Sequence, residues 1–174
     1  MSKQDRDALE KHFDDVMREY GPALSRLASS YEAVAGRREE LLQEIALAIW
    51  QALPHFRGEC SERTFIYRIA HNRGISHAWK RQPIHKSLDE LPETHEPIDP
   101  RPHPEEHTAQ KHQRARLMSA IQSLPVVHRQ MITLMLEDLS HAEIADVLGI
   151  TENNVGVRLN RARKALKEAL GVPS

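Results

Sequence analysis

The sequence predicts an all-α protein in which two small helical domains are joined by a flexible linker. Hydrophobic residues make up 40% of the chain and aromatic residues only 5%, a composition that favours helices over a sheet-based core. Apolar residues recur at helical spacing in the N-terminal and C-terminal parts. Between these parts lie six of the ten prolines and an acidic excess, with no sustained periodicity, and this combination predicts an extended linker.

The N-terminal domain is predicted to be a helical bundle over residues 9–82. Apolar spacing over residues 9–50 fits two helices that part near residues 35–37. A proline and a glycine bound a short polar loop over residues 54–58, and an apolar stripe then predicts a third helix over residues 64–80.

The net charge of -1 hides an uneven distribution along the chain. Residues 1–82 hold 13 Lys and Arg against 12 Asp and Glu, the linker predicted over residues 83–110 holds 2 against 7, and residues 111–174 hold 9 against 6. The C-terminal part is therefore basic, which favours contact with nucleic acid, and the acidic linker masks this charge in the total.

The C-terminal domain is predicted over residues 111–171 as three or four helices, with helices at 111–123, 126–137, 140–148 and 151–170. The signals for helix ends are clear in its second half. Ser140 and Glu143 have the spacing of a capping box, Gly149 stands where a helix end favours a left-handed residue, and Thr151 is suited to cap the next helix.

A short helix, a tight turn and a longer helix over residues 140–170 predict a helix-turn-helix, whose second helix enters the DNA major groove. The second helix carries a set of hydrogen-bond donors: Asn153, Asn154, Arg158, Arg161 and Lys164. Asn pairs with adenine and Arg with guanine, so residues early in the helix are candidates for base contacts and later ones for phosphate contacts. For any one of these residues, a solvated basic helix face is the alternative.

Stretches in both domains resemble the sigma factors of RNA polymerase. In the first domain these stretches are residues 40–50 (Glu-Leu-Leu-Gln-Glu-Ile-Ala-Leu-Ala-Ile-Trp) and residues 65–72 (Phe-Ile-Tyr-Arg-Ile-Ala-His-Asn). In the second domain they are Leu124-Pro125, Ala142-Glu-Ile-Ala145 and residues 158–166 (Arg-Leu-Asn-Arg-Ala-Arg-Lys-Ala-Leu). With two domains in this order and only a linker between them, the chain is similar to the extracytoplasmic function group of the sigma-70 family.

The sequence departs from the family pattern in the second helix of the helix-turn-helix. Where the family usually has Thr-Val-x-Ser-Arg, this chain has Asn154-Val-Gly-Val-Arg158. The glycine at position 156 costs about 1 kcal/mol of helix propensity against alanine. Milder departures occur at Phe65-Ile66, where the family usually has Trp-Leu, and at Ser76, which takes the place of a customary acidic residue.

The resemblance implies a transcription initiation factor that binds core RNA polymerase and directs recognition of the minus-35 and minus-10 promoter elements, as duplex and as non-template single strand. It implies a polymerase-docking segment at Leu42, Gln43, Glu44 and Leu47. It implies that the loop over residues 56–63 and the following helix contact the melted minus-10 element through Arg63, Arg68, His71, Asn72 and Arg73. Core packing is an alternative for Leu42 and Leu47 and the preferred interpretation for Tyr67 and Trp79. An anti-sigma factor is the further partner that the resemblance implies.

The sequence also contains features that suggest other classes of function. His103, His107 and His112 suggest a metal site, but no cysteine or paired carboxylate completes a ligand set. Cys60, which is the single cysteine, leaves a redox role open. We therefore expect no catalytic site, metal or cofactor. The serious alternative is a dimeric helix-turn-helix regulator that binds an operator unaided, and a protein-interaction module is a third.

The sequence also bears on location. It has no apolar run of about 18 residues, the length that would span a membrane, and no basic and then apolar leader. A single cysteine cannot form an internal disulfide. We therefore expect a cytoplasmic protein without membrane insertion.

Overall fold

A computed structural model describes residues 3–80 and 108–172, which form seven α-helices and one short 3-10 helix. The helices are α1 (Lys3–Tyr31), α2 (Ala35–Ala52), the 3-10 helix Leu53–His55, α3 (Glu62–Lys80), α4 (Thr108–Ser123), α5 (Val126–Leu136), α6 (His141–Leu148) and α7 (Glu152–Ala169). No strand occurs in the described ranges, and the predicted all-α fold is confirmed. Most of the predicted linker lies outside these ranges, while residues 108–110 already belong to α4.

The first bundle consists of α1, α2 and α3, each packed against the other two. Its core is built from large apolar side chains that recur every three or four residues and are fully buried: Leu24, Leu27, Leu41, Ile45, Ile49 and Ile66. This spacing places them on one face of each helix, so the three faces meet in one core.

The break between α1 and α2 falls at residues 32–34 and not at the predicted residues 35–37. The Val34 N–H donates a hydrogen bond of 2.9 Å to the Glu32 carboxylate, which closes the turn before Gly36 is reached. Gly36 lies in the first turn of α2, where a glycine is tolerated. The helix α1 also begins at Lys3, ahead of the first apolar residue from which its start was predicted.

The second bundle consists of α4 to α7, and its helix-turn-helix is formed by α6 and α7. The predicted capping box is present: the Glu143 N–H donates to Ser140 Oγ at 3.2 Å and the Ser140 N–H donates to Glu143 Oε2 at 2.8 Å. Gly149 is left-handed, with φ 65°, and Thr151 Oγ1 accepts the Asn154 N–H at 3.3 Å. These contacts fix the turn between the two helices.

The two bundles pack against each other. The helices α1 and α3 contact α5, α1 also contacts α4, and α3 contacts α6. Buried apolar residues of both bundles belong to one continuous cluster. The sequence predicted two separate helical units, and their direct contact is an additional finding.

Candidate nucleic-acid and polymerase interfaces

The helix α7 has one buried and one exposed face. Val155, Leu159 and Ala162 are buried against the rest of the second bundle. All five predicted minus-35 residues are exposed: Asn153, Asn154, Arg158, Arg161 and Lys164. On one flank of the exposed face, a shallow groove of about 300 Å³ is lined by Asn160, Arg163, Lys164 and Lys167. Three cations and an amide along one groove suit a phosphate backbone.

The helix α3 divides the predicted minus-10 residues into buried and exposed ones. Asn72 and Arg73 are exposed. His71 is only 1% exposed, and its Nδ1 lies 2.9 Å from the Tyr31 hydroxyl. Complete burial lowers the pKa of His71 to about 3, so the ring is neutral. The prediction that His71 contacts DNA is therefore wrong, because it lies on the helix face that packs inside the first bundle.

Two further predicted minus-10 residues, Arg63 and Arg68, are engaged by the second bundle. Arg63 donates to the Glu137 carbonyl oxygen and pairs with the Glu143 carboxylate at 3.3 Å. Arg68 donates to the Asp146 carbonyl oxygen at 2.7 Å. These contacts join residues more than 70 positions apart in the chain. The sequence pattern did not predict them, because it reports only on local structure.

Comparison with known proteins decides between the classes of function. Residues 16–83 match the family described as Sigma-70 region 2, and residues 114–166 match Sigma-70, region 4. The chain is 27% identical to the RNA polymerase sigma factor YlaC of Bacillus subtilis, over 94% of this chain and 92% of that protein. It is 29% identical to the ECF RNA polymerase sigma-E factor of Escherichia coli, over 90% of this chain and 85% of that protein.

The chain belongs to the sigma-70 family of RNA polymerase sigma factors. The predicted family is confirmed, and the dimeric-regulator alternative is set aside because it does not account for region 2. Two solved structures share the fold, each with a TM-score of 0.68. They are CnrH in complex with the cytosolic domain of CnrY, at 23% identity over 95% of this chain and 91% of that one, and RpoE of Bartonella quintana in complex with the anti-sigma factor NepR, at 21% over 94% and 99%.

The region of the sigma factor predicted to dock on core polymerase lies on α2. Gln43, Glu44 and Leu47 are exposed, Leu47 to 56%, and Leu42 is half-buried against the core. Core packing is therefore wrong as an account of Leu47. Leu47 is therefore accessible to a protein partner, together with the polar side chains of Gln43 and Glu44.

Core packing was the preferred interpretation for both Tyr67 and Trp79, but only Tyr67 is buried in the structure. Tyr67 is buried, and burial, together with the nearby Glu137 carboxylate, raises the pKa of its hydroxyl to about 12. Trp79 is 62% exposed, so the core interpretation is wrong for it. The buried series of α3 runs through Tyr67, Ala70 and Gly74 and continues at His77 and Ala78, so Trp79 falls on another face.

The loop before α3 borders a cleft of about 700 Å³. Phe56 and Phe65 contact each other in its wall, with ring centroids 4.6 Å apart and ring planes tilted by 33°, while Arg57 and Arg68 add positive charge and Asp146 closes it from the second bundle. Cys60 also lines this cleft and is half-buried as a free thiol. Aromatic rings with nearby cations are typical of sites for unstacked bases.

The described residues also bear on the metal hypothesis and on membrane insertion. No group of three or more His, Cys, Asp or Glu side chains in that part of the chain is placed to hold a metal ion. His103 and His107, which formed the metal hypothesis with His112, lie outside it. No helix within the described ranges is long and apolar enough to cross a membrane.

Proposed function

We propose that this sigma factor binds core RNA polymerase through α2, recognises the minus-35 element with α7, and captures the melted minus-10 strand with the loop over residues 56–63 and α3. It carries out no catalysis and needs no cofactor, since its task is to position the polymerase, and it acts in the cytoplasm with that enzyme. The observation that carries the proposal is the exposed donor face of a capped helix-turn-helix in a chain that also contains region 2. The domain boundaries 9–82, 83–110 and 111–171 remain part of this proposal.

The minus-35 part of the proposal rests on the polarity of α7. Asn154 stands in the first turn and Arg158 one turn later, both exposed, and the early turns of a recognition helix are those that reach base edges. Arg161 and Lys164 follow along the helix and are suited to phosphates. Each bidentate base contact contributes about 1–3 kcal/mol of discrimination.

The minus-10 part rests on α3 and the cleft beside it. Asn72 offers an amide to the polar edge of a base, and Arg73 a charge to the backbone. The Phe56 and Phe65 pair offers a surface on which a flipped base stacks. Unstacking a base costs a few kcal/mol, and stacking returns about 1–3 kcal/mol. Arg63 and Arg68 join this site when the second bundle no longer holds them.

The polymerase part rests on the exposed ridge of α2. Leu47 and half-buried Leu42 provide apolar area, while Gln43 and Glu44 supply the hydrogen-bonding groups around it. We also propose an anti-sigma partner, since both solved proteins of this fold are described in complexes, one of them a sigma factor with its anti-sigma factor.

The test uses the full chain with core polymerase on promoters selected from randomised DNA. We expect Arg158→Ala to weaken binding to duplex minus-35 DNA by about tenfold or more. We expect Asn72→Ala to spare that binding and to reduce permanganate-reactive thymines at the minus-10 element. Arg18→Ala, which alters an exposed arginine of α1, is the control. Tight binding to one operator without polymerase, with no effect of polymerase, would contradict the proposal.

A further inference from the structure

Val157 occupies an unusual place on the recognition helix. It is 45% exposed, and Asn153 and Arg161, one turn before and one turn after it, are exposed polar residues. Residues four apart share a helix face, so an apolar side chain lies in the middle of the donor face of α7. The family usually has serine at this position, and the exchange removes a hydrogen-bonding group from the surface that faces DNA.

Gly156 precedes Val157, and no contact within the described part of the protein explains why this position is a glycine. A Cβ built there meets nothing within 4 Å, so no neighbour among the described residues requires its missing side chain. A glycine inside a helix costs about 1 kcal/mol against alanine. Gly156 lies one turn before Asn160, which lines the basic groove. A bare backbone at this place lets a ligand approach the helix closely.

We propose that Gly156 and Val157 determine the promoter specificity of this sigma factor, with Val157 packed against the 5-methyl group of a thymine in the minus-35 element. The thymine methyl is the apolar group that base pairs present in the major groove. Gly156 lets the helix come near enough for this contact while a strand lies along the groove that Asn160 borders. Asn153 and Arg161 contact the groups on either side. The inference rests on the proposed role of α7.

The test replaces single thymines of the selected minus-35 element with deoxyuridine, which lacks only the methyl group. We expect one replacement to weaken binding by wild-type holoenzyme about three- to fivefold, the effect of one buried methyl. Val157→Ala loses this dependence on the methyl group, and Val157→Ser shifts the preferred base at that position. Val127→Ala, which alters an exposed valine of α5, is the matched control and keeps the wild-type response.

The outcomes separate this inference from the proposed function. Holoenzyme that binds the selected element, but responds equally to thymine and deoxyuridine at every position, contradicts the methyl contact. Holoenzyme that shows no dependence on the minus-35 sequence contradicts the role of α7 itself. Gly156→Ala is expected to keep or raise the thermal stability of the free chain and to weaken promoter binding. Unchanged binding would contradict the role of Gly156.

The contact between the two bundles carries a second inference by a different observation. The Glu137 side chain, which is 8% exposed, accepts hydrogen bonds of 2.7 Å from Arg26 Nε and from Arg26 Nη2. Its backbone carbonyl accepts one from Arg63. Both arginines belong to the first bundle, so Glu137 joins α1, α3 and the end of α5.

The closed arrangement is incompatible with promoter binding as proposed. The minus-35 and minus-10 elements lie about 25 base pairs apart, roughly 85 Å at about 3.4 Å per pair, whereas α3 and α6 are in direct contact. We infer that Glu137 holds a closed state in which Arg63 and Arg68 are withheld from DNA. This inference also rests on the proposed minus-10 site.

The test measures closure directly. Fluorophores are attached at Glu39→Cys in the first bundle and Glu168→Cys in the second, in a Cys60→Ser background. Fluorescence energy transfer between them reports the distance between the bundles in the full chain. Glu137→Gln and Arg26→Gln are each expected to lower the transfer and to raise affinity for forked minus-10 DNA without polymerase, at unchanged helix content. Asp138→Asn, the neighbouring exposed acid, is the control. Equal transfer in all four chains contradicts the closed state, while opening without a gain in DNA affinity contradicts the withheld arginines.

Discussion

The Tyr31 ring lies directly against Gly74, so that a Cβ on Gly74 would stand 2.5 Å from Tyr31 Cδ2. Both residues are buried, and α1 and α3 meet at this point. Gly74→Ala is expected to lower the free energy of unfolding by about 1–3 kcal/mol, the usual cost of overpacking. Denaturant titration measures it. Gly36→Ala, where nothing lies within 4 Å, is the control and should be neutral or stabilising.

The buried His71 predicts a loss of stability in acid. Burial lowers its pKa to about 3 in the folded chain, whereas the unfolded chain takes up the proton near 6.5. The unfolded state therefore binds more protons between these values, and stability falls as pH drops through this window, by at most about 1.4 kcal/mol per unit from this group.

His71→Gln is expected to flatten that part of the pH dependence, because the titrating group is gone. The measurement is the free energy of unfolding at several pH values from 7 down to about 4. His141→Gln, which alters an exposed histidine at the start of α6, serves as the control and should keep the wild-type slope. A slope that His71→Gln leaves unchanged would mean that His71 is protonated in the folded chain.

The exposed Leu47 predicts a loss of polymerase binding without a loss of stability. Burial of a leucine side chain contributes about 1.5–3 kcal/mol, so Leu47→Glu should weaken the complex with core polymerase by about tenfold or more. Titration of labelled chain with core polymerase measures this. Leu136→Glu, at an exposed leucine of α5, is the matched control. Equal affinities for the two variants would rule out the docking role of Leu47.

The capping box predicts how firmly the helix-turn-helix is held. The Ser140 backbone N–H holds the pKa of Glu143 below its usual value, and the Ser140 hydroxyl satisfies the Glu143 N–H. Ser140→Ala is expected to cost about 1 kcal/mol of stability. Ser76→Ala, whose hydroxyl bonds within α3 and caps no helix, should cost less. Thermal unfolding measures the stability of both variants. Equal losses of stability would show that the Ser140 cap does not stabilise the helix-turn-helix.

The sequence predicted those features that local chemistry determines. Ser140, Gly149 and Thr151 carry their signals in their own side chains or in the lack of one, and the structure places each where it was expected. Apolar periodicity predicted the helices because it is likewise a local property of the sequence. The helix break near Gly36 was misplaced because the Glu32 carboxylate, which closes the turn, has no characteristic spacing.

The errors in the candidate site have a different cause. His71 was chosen by its position in a motif. Neighbouring residues on a helix face different directions, so Asn72 is exposed whereas His71 is buried. Trp79 was judged by its hydrophobicity, although its position on α3 turns it away from the core. Arg26 and Glu137 were not candidates at all, since 111 residues separate them and a pairing at such a distance depends on how the two bundles dock.

Run-off transcription with purified core RNA polymerase, with and without this chain, on DNA fragments that carry its selected promoter, tests whether the chain directs initiation. We expect discrete transcripts that require the chain, start at one position and disappear in the Asn72→Ala and Arg158→Ala double variant. A chain that forms no complex with core polymerase, or transcription that is the same with and without the chain, would show that it does not direct initiation.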